Sequence, residues 1–263
     1  MKYSCIRNQI EDGVSIITFN RPDKLGAMNA LMMAETLHAM EKASENKDVR
    51  CIILTGTGRG FCSGQDLNDR IKQKTGKNRD LGVTLDKGYN RFARKVRSLR
   101  IPIIVAVNGI AAGAGSSIAL LGDIVIAAKS ASFIQAFVRI GLVPDCGGTY
   151  ALPRLVGRAR ALGMALLGDT IDAETAAEWG LIWKVSEDDD LMADALLIAK
   201  KLASGPTKSY ALIRQAINAA DTNSFDEQLD FEMQCQRAAG YTEDHAEGVN
   251  AFIEKRPASF KGQ

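Results

Sequence analysis

Apolar positions along this 263-residue chain follow two spacings. Short, largely apolar runs lie at 14–20, 49–55, 103–107, 123–127 and 181–185, each opening just after a glycine, proline or aspartate. Such runs read as strands, several of them buried on both faces. Residues 2–9 read as one more strand, joined to 14–20 through Glu11-Asp12-Gly13, where Asp-Gly favours a tight hairpin. Helical spacing takes over at 30–46, with Met33, Leu37 and Met40 on one face and Asn29 placed to cap it. The segment 66–98 is helical in pattern at both ends, with a polar middle from Lys72 to Asp80 that reads as a variable, mobile loop. Ser117–Leu121 reads as a short helix, and Asp172 can cap another that Gly180 closes. From Asp189 to Ile253 every pattern is helical, interrupted at Gly205-Pro206, and the tail Arg256–Lys261 is irregular. The alternation predicts an α/β body over 1–200 and a helical region over 201–263, of the kind that packs against a neighbouring subunit. No fixed-period repeat of the solenoid type is present.

Composition narrows the function classes. The apolar fraction is 46%, the charged fraction 24% and the net charge only +2, with no basic block, so nucleic acid is a poor partner. Ile101–Gly122 carries no charge and is long enough to cross a bilayer, but Pro102, Asn108, three glycines and Ser116-Ser117 interrupt it. It reads as a buried strand, a turn and a buried helix, and no membrane partner is expected. The start, Met1-Lys-Tyr-Ser-Cys-Ile-Arg, has no apolar signal core. Five scattered cysteines without metal-like spacing suit a reducing cytoplasm better than a disulfide framework. The two histidines, His38 and His245, lie in helical patterns far apart, which argues against a histidine triad and against a metal site.

The candidate chemistry lies in three glycine-bearing turns. In Phe137–Tyr150 a lone acid, Asp145, stands between Pro144 and Gly147-Gly148, just before a helical pattern, so its plain reading is a helix N-cap. Ser63-Gly64-Gln65 and Ala112-Gly113-Ala114-Gly115 each join a strand to a helix. The first amides of a helix lack partners within it, and small side chains let a ligand oxygen approach them. One N–H from each turn, aimed at one point, would form an oxyanion hole. Taken singly, each turn is also explained by tight packing, and neither fits the dinucleotide or phosphate-loop fingerprints.

Phe61-Cys-Ser-Gly-Gln-Asp-Leu67, Val107–Gly115 and Ile140–Thr149, in this order and spacing, resemble the enoyl-CoA hydratase/isomerase (crotonase) superfamily. Arg21-Pro-Asp-Lys24, Ala176–Leu181 and the final Phe260-Lys261 extend the resemblance over nearly the whole chain. The resemblance implies a spiral of ββα units, homotrimers or dimers of trimers, and an acyl-CoA thioester as substrate, with no cofactor besides the coenzyme A that the substrate carries. It places oxyanion-hole amides at Gln65 and Ala114, and coenzyme A contacts at Lys24 and, from a neighbouring subunit, at Phe260 and Lys261. Ala27, Cys62, Gly64, Asp66, Gly113 and Phe137 are expected to line the substrate site on the same ground. Within the superfamily, Gly141–Gly148, Leu152–Gly157, Ala165–Gly168, Glu178–Trp183 and Gln215–Asn218 look like the phenylacetate branch, whose isomerases convert a ring-1,2-epoxide thioester to an oxepin.

The departures from the family pattern are informative. Hydratases of the family add water with two glutamates; the matching positions here are Ser117 and Phe137. Asp145 is the carboxylate that remains, at a position where family isomerases carry a catalytic aspartate. A single carboxylate beside an oxyanion hole suits a proton shuttle. Two other readings stay open: a water-adding enzyme that uses Asp145 alone, and a non-catalytic scaffold or RNA-binding member of the fold.

Overall fold

The computed structural model describes residues 3–66 and 80–263. The polar stretch read as a variable loop therefore lies, apart from Asp80, outside the described residues. In chain order the elements are β1 (Ile6–Glu11), β2 (Val14–Phe19), α1 (Ala30–Glu45), β3 (Cys51–Gly56), β4 (Gly60–Cys62), α2 (Leu81–Leu85), α3 (Arg91–Ser98), β5 (Ile103–Val107), β6 (Ile110–Ala112) and α4 (Ala114–Ala119). There follow β7 (Ile124–Ala128), β8 (Ser132–Ile134), α5 (Gly148–Leu167), β9 (Thr170–Asp172), α6 (Ala173–Glu178), β10 (Lys184–Ser186) and four helices: α7 (Leu191–Ala203), α8 (Thr207–Ala220), α9 (Phe225–Gly240) and α10 (Glu243–Glu254).

Two sheets organise the α/β body. The larger has the order β1-β2-β3-β5-β7-β10, antiparallel only at the β1–β2 hairpin. The smaller has the order β4-β6-β8-β9, parallel except at β8–β9. The chain lays one strand in the large sheet, the next in the small one, and then a helix: β5, β6, α4 and again β7, β8, α5. This is the expected spiral of ββα units. Its second strands are only three residues each; β4 and β6 lie inside segments that read as glycine turns, and β8 follows the strand run at 123–127. Three residues are too few to show a period.

The core follows from burial on both faces. Every residue of β5 and Cys51–Leu54 of β3 are buried, as their apolar runs require. Helix α7 covers β2, β3, β5 and β7 with Leu191, Ala195, Ala199 and Ala203, spaced one turn apart. Asn29 caps α1 through its side chain, which accepts from the Met32 N–H at 2.8 Å. The uncharged stretch Ile101–Gly122 folds as β5, β6 and α4, and no described helix is long and apolar enough to cross a membrane. One assignment is corrected here: Asp145 is not the N-cap of α5. Cys146 and Gly147 take positive φ (52° and 83°), Gly147 is the cap residue, and the Gly148 N–H donates to the Asp145 carbonyl at 2.9 Å.

The tail is irregular but firmly held. Asp244 accepts from the Lys261 and Gly262 amides (2.6 and 2.8 Å), and Arg50 donates to the Phe260 carbonyl at 3.0 Å and to Gly205 and Thr207. Glu247 accepts from Arg256 and from the Ser259 N–H, and these contacts hold its carboxyl down to about 2, well below its ordinary 4.5. A depressed carboxyl favours the docked tail fully above 4.5, and that contribution is lost as pH falls through about 2. Hydrogen-exchange mass spectrometry is expected to show the C-terminal peptide equally protected at pH 7 and pH ~5, and faster exchange in Glu247→Gln at neutral pH. Equal protection in the variant would mean that Asp244 and Arg50 hold the tail without Glu247.

Candidate active site

Parallel pairing delivers two of the three glycine turns to one place. β4 and β6 are neighbours, with Gly60 opposite Ile110 and Cys62 opposite Ala111, so both chains leave the sheet side by side. Beyond the strands the turns touch backbone to backbone. Gly64 has φ +94°, and a Cβ on it would stand 2.8 Å from the Ala112 carbonyl oxygen and 3.7 Å from the Ala114 nitrogen. A Cβ on Gly115 would stand 1.9 Å from the Cys62 carbonyl oxygen. Neither approach is open to a residue with a side chain.

The donors in this contact are sorted by the local ladders. The Gly113 N–H is spent on Ile134 at 2.8 Å, while Ala114 is the first residue of α4, whose amide has no acceptor within the helix. On the facing turn Gln65 forms a parallel bridge with Met28: the Met28 N–H donates to Gly64 (2.7 Å) and the Asp66 N–H to Met28 (2.9 Å). In that pattern the intervening residue turns its own N–H to the opposite edge, away from Met28.

A partly buried ion pair braces the bridge, with Asp66 its buried member. Arg21 donates to the Ala27 carbonyl at 2.5 Å and to Asp66 Oδ2 at 2.7 Å, gripping both segments beside Met28 and Gln65. Asp66 thus directs its carboxylate at Arg21, and Lys24 stands exposed on the adjoining turn, whose carbonyl accepts from the Ser63 hydroxyl at 3.2 Å.

The third turn joins through α4. A Cβ on Gly148 would meet the Ser117 hydroxyl at 2.6 Å, so the start of α5 lies against the helix that Ala114 begins. Asp145, half-buried, precedes that contact by three residues, and one of its carboxylate oxygens is shielded from solvent. Phe137, buried, brings its ring to the Gly113 side, where a Cβ would meet it at 4.0 Å. Burial pushes the Cys62 thiol up to about 11; burial and the Asp145 charge push Cys146 up as well. Both stay protonated at neutral pH and fill space as small apolar groups.

Comparison with known proteins now decides the family. The enoyl-CoA hydratase/isomerase family model matches residues 9–263. The chain belongs to the enoyl-CoA hydratase/isomerase family. It is 50% identical over 258 residues to the 1,2-epoxyphenylacetyl-CoA isomerase of Escherichia coli, covering 98% of each chain. It is 44% identical over 263 residues, covering all of both chains, to a "probable enoyl-CoA hydratase" of Rhodobacter capsulatus. Among solved structures, the enoyl-CoA hydratase of Bacillus anthracis superposes with a TM-score of 0.92 at 32% identity, over 99% of this chain and 100% of that one.

For a member of the enoyl-CoA hydratase/isomerase family, acting on acyl-CoA thioesters, the structure assembles some expected positions and leaves others apart. Gln65, Ala114, Gly64, Gly113, Cys62, Ala27 and Phe137 gather at the two touching turns, and Asp145 joins them through α4 and α5. Phe260 and Lys261 do not: their partners in this chain are Arg50, Asp244, Glu243 and Gly248, none of them in those turns. Sequence reasoning gave no role to Arg21 or Arg50, because each acts on carbonyls or carboxylates distant along the chain. Arg21→Gln is expected to lower the unfolding free energy by roughly 3–5 kcal/mol, the usual cost of leaving a buried carboxylate without its cation. Urea denaturation reads this directly, and an unchanged midpoint would mean that Asp66 is held without Arg21. Gly64→Ala, strained by its φ and crowded by Ala112, is expected to cost about 1–3 kcal/mol in the same assay.

Proposed function

We propose that this protein is an acyl-CoA isomerase that polarises a thioester carbonyl with the Gln65 and Ala114 amides and moves a proton with Asp145 alone. The contact of the two turns at Gly64 and Ala114 carries the reading, because it sets two amide-bearing segments beside one point. Asp145 takes a proton from the carbon next to the thioester, and the electron pair spreads onto the carbonyl oxygen, where two N–H donors stabilise it. Returning the proton to a carbon further along moves the double bond and leaves no net change in atoms. Proton transfer alone closes this cycle, so it calls for no cofactor beyond the substrate's own coenzyme A.

Two substrates fit this chemistry: a 3-enoyl-CoA going to a 2-enoyl-CoA, and a ring-1,2-epoxyphenylacetyl-CoA going to an oxepin-CoA, in which the C–C bond shared by the epoxide and the six-membered ring also breaks as the ring π electrons rearrange, again with no net change in atoms. The 50% identity to an epoxyphenylacetyl-CoA isomerase supports the second. Against water addition stands the absence of a carboxylate at Ser117 and at Phe137, both buried, so Asp145 would have to activate water unaided. Lys24 would hold the nucleotide of coenzyme A, and Phe260 and Lys261 would do so for a neighbouring subunit, since in their own chain they dock elsewhere. A homotrimer or dimer of trimers in the cytoplasm is the matching assembly. Helix α9 buries no residue within the chain and exposes Phe225, Leu229 and Met233, so its apolar face calls for a partner.

The test is double-bond migration and deuterium uptake on 3-enoyl-CoA in D₂O, comparing wild type with Asp145→Asn. The expected loss in kcat is about 10²–10⁴-fold, the usual worth of a general base. Full activity in the variant would remove Asp145 from the mechanism. Formation of 3-hydroxyacyl-CoA by the wild type would make the enzyme a hydratase.

A further inference from the structure

The hydroxyl of Ser117 is fully buried and has no hydrogen-bond partner among the described residues. Its neighbour gives the contrast: the equally buried Ser116 hydroxyl accepts from Gln135 Nε2 at 3.2 Å. Ser117 shares none of that bonding. Its hydroxyl faces Gly148, where a Cβ would come within 2.6 Å of it, and a Cβ there would also meet Pro144 at 3.3 Å. Neither of these two residues supplies a donor, because proline has no N–H and the Gly148 N–H is committed to the Asp145 carbonyl at 2.9 Å. A buried hydroxyl without a partner destabilises the fold, and a bound oxygen atom would relieve that.

Position gives the orphan a use. Ser117 is three residues after Ala114 on α4, a rise of about 4.5 Å along the helix, and its side chain points at the turn that bears Asp145. A thioester oxygen held at the Ala114 amide would put the next two or three carbons of the acyl group at that depth. We infer that Ser117 is a specificity-determining contact: its hydroxyl donates a hydrogen bond to an oxygen carried by the acyl group two or three carbons from the thioester carbonyl. The inference rests on the isomerase reading and sharpens it. The substrate class it selects is oxygenated acyl-CoA, an arene epoxide in particular, over plain 3-enoyl-CoA, which has no oxygen there to accept the bond.

The experiment is the ratio of kcat/KM for ring-1,2-epoxyphenylacetyl-CoA to kcat/KM for a straight-chain 3-enoyl-CoA, in wild type and in Ser117→Ala. The ratio is expected to fall about five- to tenfold, the worth of one neutral hydrogen bond. If the wild type converts both thioesters and the ratio does not move, Ser117 is a core serine and this inference fails while the isomerase reading stands. If the wild type converts neither, the isomerase reading falls and the inference with it. A second measurement needs no variant: the wild-type inhibition constant for (2-hydroxyphenyl)acetyl-CoA is expected to lie below that for phenylacetyl-CoA. Equal constants would overturn the inference.

Discussion

The backbone contact between the turns at 62–66 and 112–115 is the constraint on which the site depends. Carbonyl oxygens of Cys62 and Ala112 lie where side chains of Gly115 and Gly64 would otherwise be. Only glycine permits that approach, and only parallel β4 and β6 strands bring the two chains out side by side. Every other part of the site is attached to this contact. Arg21 and Asp66 brace it from one side through the Met28–Gln65 bridge, and α4 extends from it on the other to reach the turn of Asp145.

The proposed mechanism separates binding of charge from movement of protons. In that mechanism backbone amides, whose orientation the sheets determine, would face the place where negative charge develops, with no titration and little reorganisation. Proton movement would fall to one side chain, Asp145. It sits on a turn strained into positive φ at Cys146 and Gly147, which sets the start of α5 against Ser117. Positions 117 and 137 hold a buried serine and a buried phenylalanine, neither of them an acid.

The periphery follows a different logic. Arg50, Asp244 and Glu247 dock the tail by hydrogen bonds to its backbone, so Phe260 and Lys261 are held at the C-terminal helices rather than at their own chain's glycine turns. Helix α9, in the same C-terminal region, buries no residue within the chain.

Much of the molecule was legible in the sequence, because the signals were local. Apolar runs marked the strands of the large sheet, Asn29 marked the start of α1, and three glycine motifs in order marked the family. The spacing also singled out Asp145, although not its place in the backbone. A sequence shows that Pro144 stops a helix from starting early, but not that Cys146 and Gly147 turn left-handed and delay the start to Gly148. The small sheet was not legible, since strands of three residues carry no period, and β4 and β6 sit inside turn-like sequence. Nor were the Arg21 brace, the Arg50 tie to the tail and the orphaned Ser117 hydroxyl. Each is a relation between residues distant in the chain, or the lack of one. Local sequence therefore determined which residues could do the chemistry. Only the tertiary structure decided which amides face one another, because strand pairing, not composition, sets the distance between two turns.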